Sequence, residues 1–158
     1  ASVLWAAALP RAIPARTVTL PPGDVILADS DIADVGWGLR ASGTNGSGVW
    51  RLFSGHNERV LAFLNVTLWV DRDGPAAAGA YARLADRVPY MTQAGQVAGA
   101  DASLFWSAGS GPYAGMLVRR YNVVFVLTAY LESSWSLTRS DLGEWAGWQL
   151  ARIEAVAT

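Results

Sequence analysis

The sequence of 158 residues contains no cysteine and no lysine, and His56 is its one histidine. Without cysteine the chain can form no disulfide, no thiolate metal site and no thiol nucleophile. Without lysine, Schiff-base chemistry and the phosphate-binding lysine of a P-loop are excluded. A zinc site with a single histidine would need mostly carboxylate ligands, which is unusual for zinc. The sequence therefore predicts no metal site and no cofactor.

Charged residues are scarce, at 16%, and they are scattered along the chain with a formal net charge of −1. Nucleic-acid binding needs a clustered basic surface, so we predict no nucleic-acid partner. No apolar run reaches the roughly 18 residues of a transmembrane helix, although 52% of the residues are hydrophobic and the mean hydropathy is +0.22. This apolar excess must lie in a thick core, an apolar cavity or an oligomer interface.

The first fifteen residues are apolar and are interrupted by Pro10 and Pro14. They fit either a short docking helix or the segment that follows a removed signal peptide or lipid anchor, and we favour the tether. Arginine in place of lysine, with many Ala and Gly residues, indicates a GC-rich bacterial genome. We predict an N-terminal tether or docking segment at 1–22, a single domain at 23–158, and an extracytoplasmic, secreted or membrane-tethered, bacterial protein.

The most informative stretch runs from Tyr113 to Leu131 and predicts two strands joined by a turn at residues 120–122. Both arms are rich in β-branched and aromatic residues, which favour strands. Asn tolerates the left-handed conformation that short hairpin turns need, which points to Asn122 for that position. The second arm is apolar on both faces, so we expect a central strand that is covered on both sides.

Other elements flank this hairpin. Strands are predicted at Val49–Phe53, Glu58–Val70 and Ala102–Ser107, and helices at Ala28–Asp34, Asp71–Val88 and Thr138–Val156. The last helix begins with a capping box, Thr138 with Asp141 three residues later. Residues 42–48 are predicted as a flexible loop, 54–57 as a turn and 90–102 as a connection.

This order predicts an α+β domain. We expect an antiparallel β-sheet of about five strands, made of a hairpin and a three-stranded meander. Two main helices and a short N-terminal helix pack against it.

The eight tryptophans are spread through every predicted element. Most must belong to the core, but an indole that faces a cavity would form an apolar or aromatic ligand site, and an exposed row would stack on sugars or bind a partner. Trp37, Trp50 and Trp135 lie in or near predicted loops. They are our candidate ligand-binding residues.

Two adjacent arginines, Arg119 and Arg120, are a second candidate for ligand binding, with Arg139 beside them. Arginine binds carboxylate or phosphate in a bidentate manner, so this group would hold an anion. The alternative is that these charges at the end of a strand meet acidic residues.

No catalytic motif stands out. His56 lies in a predicted turn near Ser54, and the chain has no Gly-x-Ser-x-Gly elbow. The aspartates at 24–34 and 71–73 lack the ligand spacing of a calcium loop. A hydrolase that uses His56 with a serine is our least favoured hypothesis, and we predict no catalytic residues and no enzyme.

Three features carry a resemblance to a known group of proteins. They are a strand that ends in an acidic cap and an Ala-rich helix (Val66 to Ala85), a Gly-Ala-Asp linker at 99–101, and the sequence Leu117-Val-Arg-Arg-Tyr-Asn-Val-Val124. In these features roughly the last two-thirds of the chain resembles bacterial extracytoplasmic lipoproteins and the sensor ectodomains of actinobacterial Ser/Thr kinases. The resemblance implies an α+β sandwich outside the membrane that binds something in a cleft, without catalysis.

The functional prediction is a non-catalytic extracytoplasmic ligand-binding or sensor domain with an apolar or aromatic cleft. Its partner would be a small apolar or aromatic ligand, or another protein. The alternative is a structural or interaction protein that forms a homodimer through its excess apolar surface.

Overall fold

A computed structural model of the chain describes residues 16–57, 60–108, 113–132 and 136–158. Within these ranges, seven strands form one antiparallel sheet in the spatial order β1-β2-β3-β7-β6-β5-β4. The strands are β1 (Gly38–Asn45), β2 (Gly48–Asn57), β3 (Val60–Val70), β4 (Thr92–Ala94), β5 (Ala102–Ser107), β6 (Tyr113–Arg120) and β7 (Val123–Leu131). The helices are α1 (Pro22–Val25), α2 (Asp29–Ile32, followed by a 3-10 turn at Ala33–Val35), α3 (Gly74–Ala85) and α4 (Arg139–Val156). The predicted α+β class is confirmed, as is the β5-β6-β7 meander.

The number of strands is larger than predicted, because β1 and β4 are absent from the sequence-based assignment. The predicted loop at 42–48 is wrong: β1 pairs with β2 through Asn45, opposite Gly48. The predicted turn at 54–57 is also wrong, because β2 continues to Asn57. Gly and Ser have low strand propensity, but cross-strand packing overrides that preference here.

The two faces of the sheet are covered unequally. Directly opposed residues share a face, and the face formed by Ala62, Leu64, Val66 and Leu68 of β3 is fully buried under α1, α2 and α4. We call it the α4 face. The opposite face, the α3 face, is covered where α3 contacts β6 and β7.

The central position of β7, between β3 and β6, is confirmed. Its predicted coverage on both sides is only partly right. On the α3 face Val124 is fully buried, whereas Tyr130 at the other end of the strand is 47% exposed. α3 therefore covers only one end of this face of β7.

α4 follows the sequence prediction closely. The side chain of Thr138 accepts a hydrogen bond from the Asp141 N–H, and the Asp141 carboxylate accepts one from the Thr138 N–H, which completes the capping box. Gln149 is buried among apolar neighbours, where its Oε1 accepts from Leu27 N at 2.7 Å and its Nε2 donates to Val25 O at 2.9 Å. These two bonds join α4 to the last residue of α1 and to the segment that follows it.

The turn between β6 and β7 differs from the prediction. Tyr121, and not Asn122, has the left-handed conformation, with φ of +54°. Asn122 is instead buried, and its amide binds the backbone of Val18 and Asp71. Thr17 and Thr158 also exchange backbone hydrogen bonds of 3.0 Å. Residues 16–18, at the described end of the predicted N-terminal segment, are thus bonded to the body of the domain, and residues 1–15 lie outside the described ranges.

Candidate functional site

A pocket of about 280 Å³ lies between the C-terminal end of α3 and the α3 face of the sheet. Four elements build it: the end of α3 and the residues that follow it, and strands β5, β6 and β7. We call it the aromatic pocket, and it is lined by Leu84, Arg87, Val88, Pro89, Tyr90, Trp106, Tyr113, Leu117 and Val126. Three of these nine side chains are aromatic, and only Arg87 is charged.

Trp106 forms a fixed wall of the pocket. It is directly opposite Gly115 in the sheet and is only 6% exposed. A Cβ atom on Gly115 would overlap the indole ring, so the glycine is what allows the ring to lie flat on the neighbouring strand. Cross-strand contacts of this kind between an aromatic ring and a glycine stabilise sheets. The same arrangement recurs at Gly43 under Trp50, Gly48 under Trp69, and Gly55 under Trp37.

Two tyrosines complete the aromatic lining. The rings of Tyr90 and Tyr113 have centroids 6.5 Å apart and are tilted by 57°, a favourable aromatic arrangement. Burial raises the pKa of the Tyr113 phenol, and the neighbouring Tyr90 adds to this effect. The phenol therefore stays protonated near neutral pH. Within the described ranges its hydroxyl makes no hydrogen bond, so it is free to donate one to a ligand.

Arg87 provides positive charge at the edge of the pocket. It is exposed and forms no ion pair with any carboxylate that the structure describes. It also lines a neighbouring concavity of about 270 Å³ together with Trp69, Asp71 and Arg83. Burial raises the pKa of Asp71, with Arg83 opposing the rise, and its Oδ2 atom is buried without a partner among the described residues.

A larger concavity, of about 620 Å³, lies elsewhere, between residues 95–98 and the N-terminal half of α4. Its lining includes Gly143, Gly147, Ser140 and Glu144, and it contains no aromatic side chain. Small ligands are usually held by apolar and aromatic walls with a few polar groups. The aromatic pocket meets that description and the larger concavity does not.

Part of the α3 face carries apolar side chains that are only half-buried. α3 contacts β6 and β7, while Trp50 and Leu52 of β2 and Leu61 and Phe63 of β3 are partly exposed on the same face, near the exposed Tyr130. We call these five residues the open half-face. It adjoins the aromatic pocket through β7, because Val126 lines the pocket and Tyr130 lies four residues along the same face.

Two of the three tryptophans chosen from the sequence, Trp37 and Trp50, lie on opposite faces of the sheet. Trp37 is 5% exposed on the α4 face, edge-on to Trp145 and Trp148 at 5.4 and 5.7 Å. Trp50 is partly exposed on the α3 face, over Gly43. Trp135 lies outside the described residues.

The two candidate arginines meet acidic residues, which agrees with the alternative raised from the sequence. Arg120 pairs with Asp101 at 3.0 Å and with Glu154 at 2.7 Å, and Arg119 lies 3.8 Å from Asp101. Arg139, at the other end of α4 from Glu154, donates to the Ala94 carbonyl. These residues do not line the aromatic pocket.

Sequence reasoning missed the residues that do form the pocket. Trp106 and Tyr113 occupy predicted strands, and Arg87 lies near the predicted end of a helix. The alternation of β5 does place Trp106 on the same face as Leu104. Nothing in the sequence indicates that Tyr90 would approach that face, because the path of the chain after α3 brings it there.

The described residues contain no group of three or more His, Asp or Glu side chains placed to hold a metal ion. His56 is exposed on β2, and the nearby Ser54 hydroxyl accepts a hydrogen bond from Arg40 Nε. None of the described helices combines the length and hydropathy needed to span a bilayer.

Comparison with protein-family models, curated proteins and solved structures found no match, so the resemblance to sensor ectodomains stays a prediction.

Proposed function

We propose that this protein is a non-catalytic binding domain that holds a small apolar or aromatic ligand in the aromatic pocket. The observation that carries the proposal is a partly open pocket of about 280 Å³ that is lined by Tyr90, Trp106 and Tyr113 together with aliphatic side chains. With about 30 Å³ for each water-sized group, the pocket accommodates roughly nine non-hydrogen atoms. This places the ligand at the small end of the range that protein pockets bind.

An extracytoplasmic location and a sensor role are parts of the same proposal. The apolar, proline-interrupted segment at residues 1–15 and the resemblance to lipoproteins and kinase ectodomains support them. In that setting the pocket would report the presence of a small molecule outside the cell. Fractionation of cells that express the full-length gene tests the location, and recovery of the protein in the cytosol would contradict it.

The binding proposal is tested with a neutral aromatic probe, 2-(4-fluorophenyl)ethanol, observed by fluorine NMR. The probe has about ten non-hydrogen atoms, and ligands of this size gain on the order of −0.4 to −0.6 kcal/mol per atom. The expected Kd therefore lies between about 40 µM and 1 mM. Saturable binding with one site is the supporting result.

Two variants on β7 locate the binding site. Val126→Phe adds volume inside the pocket, whereas Thr128→Phe makes a larger insertion on the same face of the same strand, outside the pocket lining. We expect Val126→Phe to weaken binding at least tenfold and Thr128→Phe to bind like the wild type. If the wild type shows no saturable binding up to about 5 mM, or if both variants bind equally well, the proposal is wrong.

The open half-face favours a second function, assembly into a homodimer. Exposed apolar patches on monomers are usually small, and larger ones mark interfaces. The candidate partner is a second copy of this chain, which agrees with the apolar excess of the sequence. Sedimentation equilibrium from about 1 to 100 µM tests it: a dimer that Tyr130→Arg dissociates supports this function, and a monomer throughout contradicts it.

A further inference from the structure

Resting on the proposed function, we infer that the ligand of the aromatic pocket is a monocarboxylate with a small aromatic body. Its carboxylate pairs with Arg87, and its ring lies among Tyr90, Trp106 and Tyr113. The inference names the chemical class of the ligand, which the apolar lining alone leaves open.

The first argument is the state of Arg87. Several described arginines form ion pairs with nearby acidic residues, for example Arg120 with Asp101 and Glu154, and Arg152 with Asp31. Arg87 lines the pocket and has no such partner among the described residues. A guanidinium at the edge of an apolar cavity provides charge complementarity for one carboxylate, and it binds that group through two parallel N–H donors.

The second argument is the set of groups around Arg87. The C-terminal end of α3 carries a partial negative charge, because the peptide dipoles of the helix align along its axis. The adjacent Asp86 is a full negative charge, exposed like Arg87. Within the pocket lining itself, Arg87 is the one charged side chain, so an anion there depends mainly on Arg87; Arg83, one turn earlier on α3, lines only the neighbouring concavity. Removal of this side chain should therefore remove most of a preference for anions.

The third argument concerns Tyr113. Its neutral phenol lines the same pocket and has a hydroxyl that donates no hydrogen bond within the described ranges. A carboxylate accepts such a hydrogen bond readily. One guanidinium and one hydroxyl suit a single carboxylate, whereas a phosphate dianion would leave most of its charge without a partner.

The experiment compares 4-fluorophenylacetate with 2-(4-fluorophenyl)ethanol, a neutral compound of nearly the same shape, by fluorine NMR titration. We expect the wild type to bind the acid about three- to tenfold more tightly, the range for a charge-assisted contact that is partly exposed to solvent. In Arg87→Gln the two compounds should bind within about twofold of each other. Arg83→Gln is the matched control, because Arg83 lies one turn earlier on α3 and does not line the aromatic pocket. It should keep the preference.

A structural role for Arg87 would weaken both compounds alike, so the ratio of the two affinities is the decisive readout. The preference should also shrink as salt rises from about 0.05 to 0.5 M, because screening weakens exposed charge pairs. If the alcohol binds and the acid binds no better, or if Arg87→Gln keeps the preference, this inference is overturned while the proposed function stands. Failure of both compounds to bind the wild type would overturn the proposed function and the inference together.

Discussion

Asn122 joins three separate parts of the chain, and its replacement by alanine is the sharpest test of how the domain is held together. The side chain is 2% exposed. Its Oδ1 accepts from Val18 N at 2.7 Å, and its Nδ2 donates to Val18 O at 2.8 Å and to Asp71 O at 2.7 Å. The N-terminal segment, the end of β3 and the β6–β7 turn therefore all depend on one amide group.

The expected cost follows from these three bonds. Each hydrogen bond contributes a net stabilisation of about 0.5–1.5 kcal/mol, and truncation also leaves buried backbone groups without partners. Water that enters the space offsets part of this cost. Asn122→Ala should therefore lower the free energy of unfolding by about 2–4 kcal/mol, which for a domain of this size lowers the Tm by roughly 5–15 °C.

Urea unfolding and a thermal melt at pH 7 measure this effect. The matched control is Asn45→Ala, because Asn45 is exposed at the end of β1 and its side chain makes no hydrogen bond within the described ranges. The free energy of unfolding of that variant should stay within about 0.5 kcal/mol of the wild-type value. If Asn122→Ala lowers the free energy of unfolding by less than about 1 kcal/mol, the stabilising hydrogen bonds that we assign to this amide are refuted.

Two further predictions concern the ion pairs and the pocket wall. Burial acts to raise the pKa of Glu154, but hydrogen bonds and charge from Arg120 and its neighbours hold it below the ordinary value overall. The stability that it contributes is present above the unfolded-state pKa of about 4.3 and is lost as the pH falls through the folded-state pKa. Urea unfolding between about pH 5 and pH 3 should therefore show that the free energy of unfolding falls more steeply with pH in the wild type than in Glu154→Gln. The same pH dependence in both proteins would contradict this. Gly115→Ala displaces the Trp106 indole and should cost about 1–3 kcal/mol. By contrast Gly147→Ala, in open space on α4, should stabilise by about 0.5–1 kcal/mol; equal effects would show that the ring does not need the glycine.

The parts of the fold that could be predicted are those with strong local patterns. The alternation in β3 and β7 identifies the buried α4 face, and the capping box at Thr138 marks the start of α4. β1 was missed because its Gly and Ser residues are typical of loops, while its stability comes from pairing with β2 and from the ring of Trp50 over Gly43. Such contacts across strands are invisible to local propensity.

The β6–β7 turn shows the same limit. Asparagine is the usual residue for a left-handed turn position, yet the burial of Asn122 assigns it to hydrogen bonding instead. Tyr121 takes the left-handed conformation, and its N–H donates to Asp101 while its hydroxyl donates to Glu154. Local preference favours Asn122 for the left-handed position, but tertiary contacts place Tyr121 there instead.

The aromatic pocket was not predictable for a related reason. Its walls come from the end of α3 and from three strands whose spatial order, β7-β6-β5, is set by the whole sheet. Trp37 was a candidate from the sequence, but the structure places it in the core between α4 and β2. A candidate site of this kind is recognised from partly buried side chains around a concavity, and the concavity exists only after folding.

The central claim is that a small ligand occupies the aromatic pocket, and intermolecular NOEs test it most directly. The protein, with methyl groups assigned, is saturated with 2-(4-fluorophenyl)ethanol, and NOEs from the aromatic protons of the probe are recorded. We predict NOEs to the methyl groups of Leu117 and Val126. NOEs to Leu61 on the open half-face, with none to Leu117 or Val126, would contradict the claim and direct attention to that surface instead.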